Sequence, residues 1–363
     1  MKRKPTTTDI ANRLGLSRTT VSKALNGHPS IPEATMRKVR DTAIGLGYKK
    51  VPGEAGPMED FRARGPAPPA SGTPMRTIAF LIRSAIAQSN EGYWVDVMRG
   101  AEEASRRSGC NLLLHFITLG DVDALRLPRS LTEAAVDGVL LAGLTHKPFV
   151  QAVAASRLPT VLIDSYPDMR TRDLACDTVI MESERSVYDL TEHLIGLGHQ
   201  RIGFIGNIAD CMSFTERWNG FRRALLDAGL PVDPDTCAVA PIASHYYNRS
   251  DIVASLRAMK RLPTAFVCAN DLVARYAVSA LEDFGLRVPQ DVSVTGFDMI
   301  DIRSAVPANP LALTTVRVNA GHIGLRACEQ LLWRMERPSR PVDHIRIATS
   351  VVLGESTTAA RRA

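Results

Sequence analysis

Short apolar runs alternate with amphipathic segments over most of the sequence, from Thr77 onwards. Helical patterns occupy 93–108, 182–198, 215–229, 269–285 and 319–336. Between them stand runs with the length and composition of buried strands: TIAFLI, NLLLHF, DGVLLA, TVLID, RIGFIG, TAFVCA and VSVTGF. Such alternation predicts parallel sheets that are covered by helices on both faces.

The alternation runs through two units, 77–177 and 178–316, after which the chain returns to the first. We therefore predict an α/β body at 76–360 with two lobes. The N-lobe comprises 76–177 with 317–337, and the C-lobe comprises 178–316 with 338–360. Ligands of doubly wound sheets bind beyond the carboxyl ends of the strands. The cleft between the lobes is therefore the predicted ligand site.

Charge is distributed unevenly along the 363 residues. Residues 1–50 contain eleven Lys or Arg against three acidic residues, so this segment carries +8 and the rest of the chain −2. A basic segment with apolar periodicity is typical of a polyanion binder. The basic N-terminus lacks the apolar stretch of a secretory signal, and no run is long enough to span a membrane, so a cytoplasmic protein is expected.

The six cysteines stand singly, with no CxxC spacing and no clustered histidines. We expect them to be small buried side chains in a reducing compartment, and we expect neither a metal site nor a cofactor.

The basic segment has the spacing of a helix-turn-helix. Ile10, Ala11 and Leu14 share one helical face, with Thr6 or Thr7 placed as the cap and Gly15 as the turn. Ser17 is placed to cap a second helix whose inward face is Val21, Ala24 and Leu25. A third helix carries Ile31, Met36, Val39, Ala43 and Leu46. Three such helices share one small core and leave the second free to enter the major groove of DNA.

The second helix then presents base-reading side chains. Arg18 suits bidentate contact with guanine, and Thr19 suits a thymine methyl group. Lys23 reads a base or holds a phosphate, whereas Ser17, Thr20 and Asn26 suit the DNA backbone. The full predicted DNA-binding set is Thr6, Thr7, Ser17, Arg18, Thr19, Thr20, Ser22, Lys23 and Asn26.

The segment TTTDIANRLGLSRTTVSKALNGHPSIPEATMRKVRDTAIGLGY resembles the DNA-binding headpiece of the LacI/GalR family of bacterial transcription regulators. The body is similar to the effector domain of the same family in phrases such as HLIGLGHQRIGFIG, ERWNGFRRALLDAGL, AFVCANDLVA and GLRVPQDVSVTGFD. The resemblance implies a periplasmic-binding-protein-like effector domain. It also implies that Arg18, Thr19 and Lys23 occupy the base-reading positions.

A linker departs from this resemblance. Residues 51–75 are rich in Pro, Gly and Ala and have no apolar period. The family has a short hinge helix here, with the pattern Pro-Asn-x-x-Ala-Arg-x-Leu, which is missing from this chain. Because Gly53, Gly56 and Pro57 disfavour a helix, we expect an atypical hinge, with Phe61 as a possible wedge in the minor groove.

Polar side chains at strand ends form the predicted ligand site. Asp164 follows TVLI, Asn270 follows AFVCA and Asp298 follows SVTGF. Arg217 opens RWNGF, and its planar fork can donate two parallel hydrogen bonds. By resemblance, Tyr93 and Trp94 stand at the position of an aromatic pair that stacks on a ligand. We also predict Asp271 as a helix cap, and Arg83, Gln88 and Phe214 as cleft-lining residues.

These features predict a sequence-specific repressor of genes for carbohydrate uptake and catabolism, which binds a near-palindromic operator as a homodimer and responds to a sugar. A nucleobase or another non-sugar metabolite is the alternative effector. A transport solute-binding protein is the rival function, although it requires an export signal and no basic head. Because GxSxG, P-loop, HExxH and strand-linked GxGxxG motifs are missing, we predict no catalytic residues.

Overall fold

The structure is a computed structural model that describes residues 6–25, 31–32, 35–36, 38–39, 42–43, 75–84, 91–167, 176–240, 248–299 and 311–361. The chain divides into two compact units, Met1–Gly65 and Pro66–Ala363. Residues 51–74 of the predicted linker, which include Phe61, and Gln88 lie outside the described residues.

The first unit begins with helices α1 (Thr7–Leu14) and α2 (Arg18–Leu25). Thr6 caps α1, since its backbone N–H and its hydroxyl both donate to Asp9 Oδ2 at 2.7 Å. Gly15 ends α1 with φ 64°, in the left-handed region that favours glycine. Ser17 Oγ accepts from the Thr20 N–H at 3.0 Å and so caps α2. The predicted caps and turn are therefore present.

The small core of this unit contains the residues that the helical periodicity selected. Its buried members are Ile10, Ala11, Val21, Ala24, Leu25, Val39 and Ala43, with Leu14, Leu16, Ile31 and Met36 packed against them. Residues 35–36, 38–39 and 42–43 are helical, which agrees with the predicted third helix. Predicted core residue Leu46 lies outside the described residues.

The second unit is built on a six-stranded parallel sheet. The strands are β1 (Thr77–Arg83), β2 (Asn111–Ile117), β3 (Gly138–Ala142), β4 (Thr160–Ile163), β5 (Asp177–Met181) and β10 (His344–Ile347), in the order β10-β5-β4-β3-β1-β2. The central strands β3 and β4 are buried throughout, as expected for a sheet covered on both faces. Helices on this sheet are α3 (Glu91–Arg107), α4 (Leu119–Asp123), α5 (Arg129–Thr132) and α6 (Lys147–Ala154).

A second parallel sheet has the order β6-β7-β8, from β6 (Ile202–Ile205), β7 (Ala265–Cys268) and β8 (Ser293–Thr295). Its helices are α7 (Glu184–Gly196), α8 (Met212–Asp227), α9 (Arg249–Ala258) and α10 (Asp271–Asp283). Strand β9 (Thr315–Arg317) pairs antiparallel with β11 (Ser350–Val352), and α11 (Ala320–Glu336) returns to the first sheet. The predicted two-lobed α/β body is confirmed.

The lobe boundaries differ from the prediction in two places. Strand β5 pairs with β4 and with β10 in the first sheet, whereas the predicted boundaries place Thr178–Met181 and His344–Ile347 in the C-lobe. A buried ion pair holds this edge, since Arg334 of α11 donates from Nε and Nη2 to the two carboxylate oxygens of Asp177 at 2.9 and 2.6 Å. Neither strand was among the seven predicted from the sequence; in β10 polar and apolar residues alternate.

Two other contacts fix the architecture. In α3 and α11, a Cβ on Gly100 would overlap the Gly321 carbonyl oxygen, and one on Gly324 would overlap the Val97 carbonyl oxygen. These glycines therefore let the two helices touch along their backbones. At the second sheet, the carbonyl of the buried Ser356 accepts from the Val294 N–H at 2.8 Å, and its hydroxyl accepts from the Thr314 N–H at 2.8 Å.

Candidate functional site

Helix α2 exposes the side chains that the sequence assigned to DNA. Ser17, Arg18, Thr19, Ser22 and Lys23 are exposed, and Thr20 is half-buried beside the capping Ser17. The opposite face is fixed in the core by its apolar residues. Thr6 and Thr7, at the start of α1, are half-buried, and Asn26 lies outside the described residues. The exposed face of α2 is thus a polar, basic surface on a packed helix.

Within the second unit, the predicted ligand residues meet around Arg217. This arginine is 2% exposed and comes from α8, whereas Asp298 follows β8. Arg217 Nη2 lies 3.5 Å from Asp298 Oδ1, and Nη1 donates to the Ala269 carbonyl at 2.5 Å. Arg217 Nε has no hydrogen-bond partner among the described residues. The guanidinium is therefore anchored at one edge and incompletely bonded at the other.

Aromatic rings hold the same guanidinium in place. The Arg217 Cζ atom lies 3.6 Å from the centroid of the Phe297 ring and 5.2 Å from that of Phe214. Cation–π contacts of this kind gain strength when the pair is shielded from water. Phe214 was predicted as a cleft residue, whereas Phe297 was not; it precedes Asp298 in the same strand-end phrase.

Asp164 connects the two lobes. Its Oδ2 accepts from the Ser213 hydroxyl at 2.6 Å, and its Oδ1 accepts from the Ser213 and Ser165 N–H groups at 3.2 and 2.7 Å. Burial raises the pKa of Asp164, which the hydrogen bonds from Ser213 and Ser165 oppose. Ser213 was not predicted from the sequence, although it stands one helical turn before Arg217 on the same face of α8.

Asp164 and Asp298 both have backbone angles that are uncommon for residues other than glycine, with φ 63° and φ 106°. Such conformations cost about 1–3 kcal/mol each and persist where the surrounding structure fixes them. Burial raises the pKa of Asp298 to about 7, against the opposing effect of Arg217. This carboxyl can therefore exchange a proton near neutral pH.

Tyr93 faces this group of charges. It is 6% exposed, and its hydroxyl has no hydrogen-bond partner among the described residues. Burial raises the pKa of Tyr93 well above its ordinary value, and Asp298 and then Asp164 raise it further. Trp94 packs edge-on against Tyr93, with ring centroids 4.9 Å apart. Tyr93 thus brings a buried, unbonded hydroxyl to the carboxylates, whereas Trp94 supports it by packing.

Asn270 takes the capping role that the sequence suggested for Asp271. Asn270 Oδ1 accepts from the Val273 N–H at 2.9 Å, so Asn270 and not Asp271 caps α10. Asp271 Oδ1 instead accepts from the Thr315 hydroxyl at 2.6 Å. An Asn followed by an Asp at a helix start offers two possible caps, and only the backbone angles decide between them.

A cavity of about 330 Å³ lies between the ends of β1 and β3 and the segment before α8. Arg83, which was predicted as a cleft residue, lines it together with Asp210. Arg83 is 4% exposed, and its Nη2 lies 3.5 Å from Asp210 Oδ2. A second buried Arg–Asp contact is therefore present besides the one at Arg217, and only Arg83 of its two residues was predicted from the sequence.

Neither a helix able to cross a bilayer nor a His/Cys/Asp/Glu group suited to a metal ion occurs in the part of the chain that the structure describes.

Comparison with known proteins gives one family-model match and many relatives over most of the chain. Residues 191–357 match the periplasmic binding protein-like domain. The HTH-type transcriptional repressor PurR of Aliivibrio salmonicida (strain LFI1238) is 32% identical over 336 residues, which cover 90% of this chain and 91% of the relative. Many further relatives match this chain, and the one named above is a transcriptional repressor.

Two solved structures share the fold over nearly the whole chain. A transcriptional regulator CelR–cellobiose complex aligns with a TM-score of 0.68 and 24% identity, over 97% of this chain and 100% of its own. The lac repressor dimer bound to operator and the anti-inducer ONPF aligns with a TM-score of 0.64 and 21% identity, over 98% and 100% of the two chains.

Proposed function

The chain belongs to the LacI/GalR family of bacterial transcription regulators, and we propose that it is a sequence-specific, DNA-binding repressor that responds to a sugar. The observation that carries the effector assignment is the incomplete bonding of three buried groups at one place. These are the Tyr93 hydroxyl, the Arg217 Nε–H and the Asp298 carboxyl, whose contact with Arg217 is 3.5 Å long.

Unbonded polar groups are costly when they are buried, at about 1–3 kcal/mol each. A ligand that completes their hydrogen bonds therefore binds with a gain that an apolar molecule cannot supply. Sugar hydroxyls both donate and accept, so that one pair of them can accept from Arg217 and donate to Asp298. This match favours a polyol and agrees with the cellobiose named for one relative of the same fold.

A nucleobase is the second candidate effector, because Tyr93 and Trp94 supply flat rings beside the polar groups. Their burial and their edge-on contact with each other support the sugar instead. Both rings are already covered by protein, so a base would have to displace Trp94 in order to stack on Tyr93.

The DNA-binding role rests on the exposed face of α2. We assign Arg18, Thr19 and Lys23 to base contacts, and Ser17, Thr20, Ser22 and Asn26 to the surrounding contacts, with Thr6 and Thr7 at the N-terminus of α1. Positive side chains above a packed helix suit insertion into the major groove. Residues 1–50 form the DNA-binding domain in this proposal, 51–75 the linker and 76–360 the effector domain.

We assign dimer formation to the edge strand β2. Among the described residues only β1 pairs with it, and Leu114 and Phe116 share a face on which they are 40% and 54% exposed. Apolar side chains on an open edge favour contact with another chain. A two-fold dimer implies two half-sites about 34 Å apart, and therefore a near-palindromic operator. We place this protein in the cytoplasm.

The effector acts by binding two lobe arrangements with different affinity. Asp164 and Ser213 join the lobes beside the ligand groups, so that occupancy of the cleft affects the contact between them. A typical coupling of about 1–3 kcal/mol would change operator affinity roughly 5- to 150-fold.

The test has two arms. Selection from random duplex DNA should enrich a near-palindrome, and thermal unfolding with a panel of sugars and nucleobases should reveal stabilisation by a sugar. Stabilisation by nucleobases alone would assign the alternative effector. Enrichment of no sequence, together with tight sugar binding, would support a solute-binding protein.

A further inference from the structure

Two segments carry the chain side by side from the lobe of the first sheet to that of the second. One follows β5 and leads to α7, and the other follows β10 and leads to β11. They are bonded to each other, since the Glu182 N–H donates to the Ile347 carbonyl at 2.9 Å and the Thr349 hydroxyl donates to the Glu182 carbonyl at 2.9 Å. These segments, 181–184 and 347–350, form a hinge between the lobes.

An ion pair joins the two lobes beside this hinge. Arg346, the residue before Ile347 in β10, donates from Nη1 and Nη2 to Glu216 Oε2 and Oε1 of α8 at 3.0 and 2.5 Å. Two parallel bonds of this kind fix the orientation of both side chains. The Glu216 side chain is 6% exposed and that of Arg346 is 47% exposed. The pair thus connects the edge of the first sheet with a helix of the second lobe.

The face of α8 that carries Glu216 also carries residues of the ligand site. Ser213, Glu216 and Arg217 are spaced i, i+3 and i+4, so their side chains lie together on the helix. Ser213 donates to Asp164 beyond β4, and Arg217 Nη2 lies 3.1 Å from Met181 Sδ at the end of β5. Because Glu216 adds the contact with β10, a movement at the hinge displaces Arg217 together with Glu216.

The charges at the hinge make separation of this ion pair unfavourable. The hydrogen bonds with Glu216 raise the pKa of Arg346 most, and Glu182 and Glu184 raise it further. Burial raises the pKa of Glu216, which Arg346 opposes, whereas Asp164 and Glu182 add to the increase. A buried carboxylate that loses its hydrogen-bonded counter-ion is strongly destabilised. The intact pair therefore favours the lobe arrangement described above.

Resting on the proposed effector response, we propose that the Glu216–Arg346 pair is a latch that favours the lobe arrangement in which the ligand groups around Arg217 are assembled. Both are positioning residues, because they act through the placement of α8 and therefore of Arg217. Releasing the latch lowers the fraction of the protein that is ready to bind, and apparent effector affinity falls by the same factor.

Hydrogen exchange of the purified full-length protein without ligand tests the latch. Arg346→Gln removes the fork at a half-exposed position, and Glu216→Gln removes the carboxylate charge at nearly constant size. Arg346→Lys keeps the positive charge without the bidentate geometry. Arg107→Gln is the control, since Arg107 and Glu103 form an exposed ion pair within α3. Mass spectrometry follows peptides that cover 178–184 and 344–350.

Both glutamine variants should raise the exchange rate of the hinge peptides roughly 10- to 100-fold, the range for lost hydrogen bonds to a charged group. Peptides of the central strands β3 and β4 should keep the wild-type rate. The double variant should exchange no faster than Arg346→Gln alone, because the two residues act as one contact. Arg346→Lys should lie between, and Arg107→Gln should match the wild type. If Glu216→Gln fails to fold, the half-exposed Arg346→Gln gives the same comparison.

Calorimetry measures the effect on ligand binding, with glucose, galactose, cellobiose, adenine and guanine as probes. A probe that binds the wild type should bind Arg346→Gln about tenfold more weakly, since fewer molecules have the ligand groups assembled. Arg107→Gln should bind that probe as the wild type does, and Arg346→Lys should retain part of the affinity.

Wild-type exchange of the hinge peptides in both glutamine variants would overturn the latch. Faster exchange throughout both lobes would also overturn it, because the pair would then contribute only to overall stability. Faster hinge exchange with unchanged probe affinity would show that the placement of Arg217 does not depend on the pair. If no probe binds the wild type, the proposed effector response fails, whereas the exchange rates still decide whether the pair holds the hinge.

Discussion

Arg217 rests against the ring of Phe297, with its Cζ atom 3.6 Å from the ring centroid. Phe297 immediately precedes Asp298, the carboxylate that faces the same guanidinium. One strand end therefore supplies both the surface that orients the arginine and the charge that balances it. This arrangement gives Arg217 a fixed direction before any ligand arrives, which is the condition for selective binding.

Replacement of Arg217 by Ala should abolish the response to the effector while operator binding remains. Effector affinity should fall roughly 10- to 100-fold, because a charged, oriented donor is removed from a buried site. Calorimetry and operator gel shifts measure the two properties. Arg223→Ala is the matched control, because Arg223 lies on the same helix but is exposed and pairs with Glu184. Loss of operator binding in Arg217→Ala alone would contradict this division of roles.

Arg18→Ala should relax base preference at one position of each half-site. The expected cost is about 1–3 kcal/mol of discrimination, since a bidentate contact with guanine is lost. Competition of single-base operator variants measures it. Arg13 is exposed on α1 and serves as the control, whose replacement should leave the order of preferred bases unchanged. An unchanged preference in Arg18→Ala would move base reading elsewhere on α2.

Gly324→Ala should destabilise the effector domain by about 1–3 kcal/mol or more, because the added methyl group overlaps the backbone of α3. Gly196→Ala, at the end of α7, has open space around the new Cβ and should leave stability unchanged or slightly raised. Chemical denaturation compares the two variants. Similar stabilities for both would mean that α3 and α11 can separate at little cost.

Asp298 should make stability depend on pH. Its pKa in the folded protein is about 7, against about 3.9 in an unfolded chain. Between these values the folded protein holds an extra proton, so its contribution to stability falls as pH rises from about 4 to 7. Thermal unfolding of the wild type and of Asp298→Asn should show the wild type losing stability relative to the variant across this window. If the stabilities of the wild type and of Asp298→Asn change in parallel with pH, Asp298 does not titrate in this window.

Charged residues on the β2 edge should separate the dimer. Leu114→Lys with Phe116→Lys places two like charges opposite their copies in a two-fold contact, and sedimentation should then detect monomers. Leu226→Lys is the control, since Leu226 is the more exposed, at 73%, yet lies on α8. Persistence of the dimer in the double variant would move the interface to another surface.

Much of this architecture follows from local sequence patterns. Ser17, Gly15 and the periodic apolar residues of α1 and α2 act within a few residues of each other, so that the helix-turn-helix and its exposed face were predictable. The seven apolar strands were predictable for the same reason, because each lies in a local cluster of apolar residues.

The remaining features depend on long-range contacts. Strand β10, His344–Ile347, has alternating exposure and joins the first sheet through contacts with β5 more than 160 residues earlier. The Arg83–Asp210 pair likewise joins positions that no local spacing relates. The sequence does not decide whether Asn270 or Asp271 caps α10, because both residue types can do so. The backbone angles decide it.

The hydrogen bonds from the Val294 and Thr314 N–H groups to Ser356 determine which fragments of this protein can fold. The Val294 and Thr314 N–H groups, at the margin of the second sheet, donate to Ser356. This serine lies in the segment that follows the return of the chain from the first sheet. A fragment cut to 178–316 would leave those amides without acceptors and the sheet margin open to association. Soluble pieces for biophysical work should therefore keep both lobes together through residue 361.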